Sequence, residues 1–133
     1  MLYFLDTNIC IYLIKNKPLE VRKYFDLVPV ENVGISSIVL SELTYGVYKS
    51  NSFDKNNKAL QRFISPFQIY DYSEKACDYY GKIRTDLAKQ GKIIGAMDLM
   101  IAAHALSEGA TIVTNNTKEF CRIEGLKVEN WVH

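Results

Sequence analysis

The chain has 133 residues, 48% of them hydrophobic, with 16 basic and 15 acidic side chains. This length suits a single domain, and the near-balance of charge excludes a histone-like polycation without excluding nucleic-acid binding. No run approaches the roughly 20 apolar residues of a membrane span, and no basic stretch precedes the first apolar run. We therefore expect a cytoplasmic protein without membrane contact, whose three unpaired cysteines are reduced: Cys10, Cys77 and Cys121.

Strand-like and helix-like runs alternate along the chain. In order, they predict strand 2–5, helices 9–14 and 19–27, strand 33–35, helix 38–49, a loop over 50–57, a helix to 64, strand 67–72, helices 73–90 and 99–106, strand 111–113, a polar turn over 114–119 and an edge strand over 126–128. Capping is expected from Ser36 or Ser37, from Asp54 and from Ser73. The alternation predicts one α/β domain over 1–133 with a mainly parallel sheet.

Three acidic residues have apolar surroundings. Asp6 directly follows the first predicted strand, where open α/β sheets place their ligands. Glu42 lies in mid-helix with apolar residues three and four positions before it, and Asp98 opens a nearly all-apolar helix. Each has an ordinary alternative, because Glu42 could be a solvated surface acid and Asp98 a helix N-terminal acid that favours the macrodipole.

A fourth polar region follows the strand over 111–113. Glu119 could be a fourth acid there, and Asn116 could supply a neutral oxygen ligand or hold a water, although the segment could also be a plain polar turn. Acids gathered at one sheet edge would bind Mg²⁺ or Mn²⁺, which favour oxygen ligands and phosphate-bearing substrates. Such a pocket suits the hydrolysis of phosphodiesters. We expect His104, in contrast, to be an interface or core-edge histidine rather than a catalytic base.

These residues, in their order and spacing, resemble those of the PIN-domain ribonucleases, and most nearly the VapC toxins of bacterial toxin–antitoxin pairs. The resemblance extends from Leu2 to Trp131. The matching motifs are Leu5-Asp6-Thr7-Asn8, Ser41-Glu42-Leu43, Asp98-Leu99-Met100-Ile101-Ala102-Ala103 and Val113-Thr114-Asn115-Asn116 with Phe120.

The resemblance implies a three-layer α/β/α domain that cleaves RNA and leaves a 3′-hydroxyl and a 5′-phosphate. Asp6, Glu42 and Asp98 would hold one or two Mg²⁺ or Mn²⁺ ions, and Thr114 would help to order a water molecule at the metal. Many PIN domains carry an aspartate at the position of Asn116. The second metal therefore depends on whether Glu119 takes that place.

The same resemblance implies the partners of the chain. A cognate VapB-like antitoxin would wrap the protein and block its acidic pocket, the protein would form a homodimer, and the complex would bind operator DNA through the antitoxin. The RNA substrate would be a tRNA, with the anticodon stem-loop of initiator tRNA favoured over other tRNAs and ribosomal RNA.

Two other classes of protein share parts of this pattern. Phosphatases of the haloacid-dehalogenase type also begin with a strand and an aspartate, but they need a second aspartate where this chain has Asn8. Receiver domains carry an amino-terminal acidic pair that this chain lacks. A binding module or inactivated toxin would be expected to lose one of Asp6, Glu42 and Asp98, and all three are present.

Overall fold

The fold is organised around a five-stranded sheet, seen in a computed structural model that describes residues 1–132. The strands are β1 (Tyr3–Leu5), β2 (Val33–Ser36), β3 (Gln68–Tyr70), β4 (Thr111–Val113) and β5 (Val128–Glu129). Their spatial order is β3-β2-β1-β4-β5, and all four neighbouring pairs are parallel. The predicted parallel α/β sheet is therefore confirmed. Its central strands are short apolar runs because both of their faces are buried.

Seven α-helices within residues 1–132 connect these strands. They are α1 (Thr7–Lys15), α2 (Leu19–Asp26), α3 (Ser37–Tyr48), α4 (Phe53–Ile64), α5 (Glu74–Lys89), α6 (Ala96–Glu108) and α7 (Thr117–Phe120). After β3 the chain crosses back over the sheet to β4, so the later connections run across the sheet in the opposite sense from the earlier ones. Because parallel crossovers are right-handed, α1–α4 lie on one face of the sheet and α5–α7 on the other. This arrangement gives the predicted three layers. None of the helices in residues 1–132 is long and apolar enough to cross a membrane.

The order of the strands reverses between β1 and β4, which are parallel. β1 runs on to β2 and β3 on one side, whereas β4 and β5 lie on the other. The two strands are in register from Tyr3 opposite Thr111 to Leu5 opposite Val113, so their carboxyl ends lie side by side. A crevice at such a switch point is where doubly wound sheets bind ligands.

Several predicted helix caps are present. The Oγ of Ser36 accepts a hydrogen bond from the backbone N–H of Ile38 at 3.1 Å, and that of Ser73 accepts from Ala76 at 3.3 Å. Helix α6 ends at Glu108 and is followed by Gly109, which adopts a left-handed conformation with φ of 66°. The sequence therefore marked the starts of α3 and α5 correctly, because each cap depends on residues within one turn.

The prediction of a loop over 50–57 was wrong at its end. Helix α4 begins at Phe53, and Asp54 lies in its first turn rather than at its cap position, which Ser52 occupies. The centroid of the Phe53 ring lies 4.9 Å from that of Tyr48, at the end of α3. The following polar residues form its outer face, while Leu60 is buried against the core.

The last third of the chain also differs in detail from the prediction. The polar turn over 114–119 contains the start of α7, whose Phe120 is fully buried, and the edge strand is shifted to Val128–Glu129. His104 is 0% exposed, so it belongs to the core rather than to an interface or the core edge. Buried Phe120 anchors a short helix that the polar sequence before it does not suggest.

Candidate functional site

Asp6 and Thr114 meet at the switch point, each directly after a central strand. Asp6 is 5% exposed and Thr114 fully buried. Asp6 Oδ1 accepts a hydrogen bond from the backbone N–H of Ile9 at 3.0 Å and so caps α1. The other carboxylate oxygen, Oδ2, accepts from the Thr114 hydroxyl. Asp6 is thereby fixed in orientation from both sides of the crevice.

Glu42 reaches the same crevice from helix α3. Its carboxylate is half-buried, and Oε1 accepts a hydrogen bond from the Thr7 hydroxyl at 2.7 Å. Thr7 is the residue after Asp6, so the bond joins Glu42 to the end of β1 across 35 residues of sequence. Our sequence analysis missed Thr7 as a positioning residue, and its place directly beside Asp6 was the available signal.

Asp98 lies in the first turn of α6 and is joined to Glu119 by one amide. The Nδ2 atom of Asn116 donates to Asp98 Oδ2 at 3.2 Å and to Glu119 Oε2 at 2.9 Å. The Asn116 backbone N–H donates in turn to Thr114 Oγ1 at 2.9 Å. The structure therefore brings all six predicted residues to one edge of the sheet: Asp6, Glu42, Asp98, Thr114, Asn116 and Glu119.

Burial and mutual repulsion shift two of these carboxyl groups. Burial, then the hydrogen bonding and charge of Glu119, then the charge of Asp6, raise the pKa of Asp98 to about 6, against a smaller opposing effect of Asn116. Burial also raises the pKa of Asp6, and the charge of Glu42 adds to that rise. The hydrogen bonds that Asp6 accepts from Thr114 and Ile9 act in the opposite direction. The acids therefore act on one another electrostatically.

No cationic side chain within residues 1–132 forms an ion pair with the acids of this pocket. Within residues 1–132 the one ion pair joins Arg22 to Asp26, on helix α2. Uncompensated carboxylates that are buried or half-buried suit a hard divalent cation, which favours oxygen ligands. In the described part of the chain no three acidic, histidine or cysteine side chains converge at metal-binding distances. The Thr7, Thr114 and Asn116 hydrogen bonds hold the acids in this arrangement.

Comparison with known proteins places this geometry in a family. The PIN domain model matches residues 3–126. Ribonuclease VapC2 of Rickettsia felis is 50% identical over 98% of each chain, and the tRNA(fMet)-specific endonuclease VapC of Shigella flexneri is 48% identical over 97% of each.

A solved structure agrees with these sequence matches. VapBC2 from Rickettsia felis, bound to a DNA fragment from its promoter, superposes with a TM-score of 0.92 at 48% identity and covers 98% of this chain and 99% of that one. The switch-point crevice and its acids thus lie in a fold shared almost end to end with that protein. The chain belongs to the PIN domain family, among the VapC ribonucleases.

Proposed function

We propose that the chain is the toxin of a toxin–antitoxin pair and that its acidic pocket is a metal-dependent endoribonuclease site. The endoribonuclease activity follows from membership of the VapC ribonucleases. The observation that carries the site assignment is the group of acids at the switch point, which has no cationic partner among residues 1–132. Burial and the neighbouring acids raise the pKa of Asp6 and of Asp98. Acids that raise one another's pKa cost folding free energy at neutral pH, and a cation would offset that cost.

In this proposal Asp6, Glu42 and Asp98 hold Mg²⁺ or Mn²⁺. The metal would supply activation of a water nucleophile and neutralisation of charge on the phosphodiester. Thr7 and Thr114 orient two of the carboxylates through the hydrogen bonds described above. These residues keep their hydrogen-bond partners within the protein, so the carboxylates are positioned before substrate arrives.

Asn116 and Glu119 have auxiliary parts in the proposed site. The Asn116 amide is neutral and donates to two carboxylates at once, which lowers the repulsion between Asp98 and Glu119. An aspartate in its place would add a further charge and remove both donated hydrogen bonds. We infer that Glu119 acts by raising the pKa of Asp98 rather than by serving as a metal ligand itself.

For the substrate, we propose tRNA, with initiator tRNA cleaved in its anticodon stem-loop to leave a 3′-hydroxyl and a 5′-phosphate. The support is the 48% identical Shigella flexneri relative, which is named a tRNA(fMet)-specific endonuclease. A substrate of this kind places the proposed activity in the cytoplasm.

For partners, we propose a VapB-like antitoxin, a homodimer of this chain, and DNA binding only through the antitoxin. The support is the likeness to VapBC2 of Rickettsia felis in complex with promoter DNA. The net charge of +1 gives the chain itself no strong general attraction for DNA. A small upstream reading frame with a DNA-binding amino terminus would support this proposal.

Expression in bacteria tests the proposed function. We expect the wild-type chain to arrest growth and the Asp6→Asn variant to leave growth normal, because the substitution removes a charge and keeps an oxygen that can cap α1. Sequencing of RNA 5′ ends after brief induction should reveal new 5′-phosphate ends in the anticodon loop of initiator tRNA. A folded Asp6→Asn variant that arrests growth as strongly as wild type would refute the site assignment.

A further inference from the structure

A buried histidine joins the two helices that carry Glu42 and Asp98. His104 lies in α6 and is fully buried, and its Nδ1 is 2.7 Å from the Oγ of Ser36, which is also fully buried. The two residues are 68 positions apart in sequence. This contact is therefore a tertiary link between α6 and the junction of β2 and α3.

Ser36 is the N-cap residue of helix α3, whose first residue is Ser37. The Ser36 Oγ accepts a hydrogen bond from the backbone N–H of Ile38 at 3.1 Å. The hydroxyl keeps its proton and a second lone pair, so it can bond His104 Nδ1 in either tautomer of the imidazole. The next residue, Ser37, accepts from the backbone N–H of Tyr72 at 3.1 Å, so the start of α3 is held on two sides.

The remainder of the imidazole lies largely among aromatic rings. Nε2 is buried and has no hydrogen-bond partner within residues 1–132. The rings of Phe4 and Tyr72 lie edge-on to it, with centroids at 5.1 and 5.6 Å. Burial lowers the pKa of His104, which favours the neutral ring, and the charge of Glu108 and the backbone hydrogen bond and charge of Asp71 oppose that shift. An apolar side chain would avoid the cost of an unpaired nitrogen but could not bind Ser36.

The link is placed symmetrically with respect to two of the acids. Asp98 precedes His104 by six residues on α6, and Glu42 follows Ser36 by six residues on α3. Six residues of helix span about 9 Å, so each acid lies at the end of a short rigid arm that starts at the link. A shift at the link would change the separation of the two carboxylates.

We propose that His104 is a positioning residue for the acidic pocket: by binding Ser36 it sets the distance between Glu42 on α3 and Asp98 on α6. The inference rests on the proposed metal site, but it concerns a residue that touches neither the metal nor the substrate. It predicts that the hydrogen-bonding capacity of His104, rather than its bulk, determines how tightly the pocket binds a divalent cation.

Two substitutions of similar shape separate these effects. His104→Leu removes the hydrogen bond, whereas His104→Asn retains a polar group near the position of Nδ1. We expect His104→Leu to weaken Mn²⁺ binding by about 10-fold or more, as losses of groups that orient metal ligands do. The His104→Asn variant should recover most of that affinity. Free Mn²⁺ is measured by electron paramagnetic resonance, which requires no ribonuclease activity, and RNA cleavage is assayed in parallel.

Further variants control for general loss of stability. Ser107→Ala removes a buried hydrogen bond of 2.7 Å to the His104 carbonyl within α6, and it leaves the link to α3 intact. It should therefore lower the melting temperature without changing Mn²⁺ affinity. Ser36→Ala should weaken Mn²⁺ binding as His104→Leu does, and combining these two substitutions should add little further loss. Ser36→Ala also provides the test if His104→Leu does not fold.

The outcomes distinguish this inference from the proposed function. Equal Mn²⁺ affinity in wild type and His104→Leu, or equal losses in His104→Leu and His104→Asn, would overturn the positioning role even if wild type cleaves RNA. If wild type binds Mn²⁺ and shows the expected pattern but cleaves no RNA, the positioning role stands and the nuclease proposal fails. A wild-type protein that binds no Mn²⁺ would contradict both.

Discussion

At the scale of single residues, the acids of the pocket differ in the hydrogen bonds that they accept. Asn116 donates to both Asp98 and Glu119, so these two acids share one amide. Asp6 and Glu42 each accept from a separate threonine hydroxyl. The acids are therefore not equivalent, and their substitution should have unequal effects.

The first prediction ranks these acids by activity. Asp98→Ala and Glu42→Ala should each reduce RNA cleavage by about 100-fold or more, because each removes a proposed metal ligand. Glu119→Gln should lose less than about 10-fold, because it removes a charge that opposes ionisation of Asp98. Single-turnover cleavage at saturating Mn²⁺ measures all three. A loss for Glu119→Gln as large as that for Asp98→Ala would make Glu119 a primary ligand.

The second prediction concerns pH and stability without metal. The pKa of Asp98 is about 6 in the folded protein against an ordinary value of 3.8, so the folded state binds this proton more tightly than the unfolded chain does. The stability that this group contributes should therefore be fully present below about pH 4. It should be lost as the pH rises from about 4 through the folded-state pKa of about 6. Urea midpoints in EDTA between pH 4 and 7 measure the slope.

Asp98→Asn provides the control for this pH dependence. The amide retains an oxygen for the Asn116 hydrogen bond but does not titrate, so the variant should lose less stability than wild type between pH 4 and 7. Identical slopes for the two proteins would show that Asp98 is not the group whose proton is linked to folding.

At the scale of secondary structure elements, the sheet leaves no space beside Gly34 in β2. A Cβ at this position would lie 2.5 Å from Cε1 of Tyr70 and 3.1 Å from Cε1 of Phe4. Those two rings pack against each other with centroids 5.2 Å apart. The close approach of β3 and β1 to β2 therefore depends on a residue without a side chain.

The third prediction follows from this contact. Gly34→Ala should destabilise the fold by about 1–3 kcal/mol, because the aromatic rings must move to admit a methyl group. Gly81→Ala is the matched control, since a Cβ at this exposed position in α5 meets no atom within 4 Å. It should stabilise the helix by about 0.5–1 kcal/mol. Chemical denaturation measures both, and equal effects would contradict the packing at Gly34.

The elements also show what local sequence could and could not predict. Strands β1, β2 and β4 and the caps at Ser36 and Ser73 were predicted, because apolar runs and capping side chains are local signals. The start of α4 was missed because its first turns expose polar side chains and its buried residue, Leu60, lies further along the helix. Local polarity alone indicated a loop in that segment.

At the scale of the whole molecule, the switch point gathers residues from four separate regions of the chain. The sequence predicted that these acids would lie at one edge of the sheet, because Asp6 directly follows a strand and Glu42 and Asp98 stand in motifs that resemble those of the family. The partners of these acids were not predictable. The bond from Thr7 to Glu42 and the link from His104 to Ser36 depend on how helices pack across the sheet.

The central claim is that Asp6 belongs to a pocket of mutually repelling acids that a divalent cation stabilises. Burial and the charge of Glu42 raise its pKa, so its ionised form costs stability at neutral pH. Asp6→Asn removes that charge and can keep the cap on α1. In EDTA at pH 7.5 the variant should therefore melt about 3 °C or more above wild type, the shift that roughly 1 kcal/mol produces in a domain of this size.

Thermal melts of wild type and Asp6→Asn, each in EDTA and in millimolar Mn²⁺, test this claim most directly. Mn²⁺ should raise the wild-type melting temperature more than that of the variant and shrink or reverse their difference, because the cation binds only the folded site and needs the Asp6 carboxylate. If wild type is the more stable protein in EDTA and Mn²⁺ shifts both equally, the acids do not form a shared metal site.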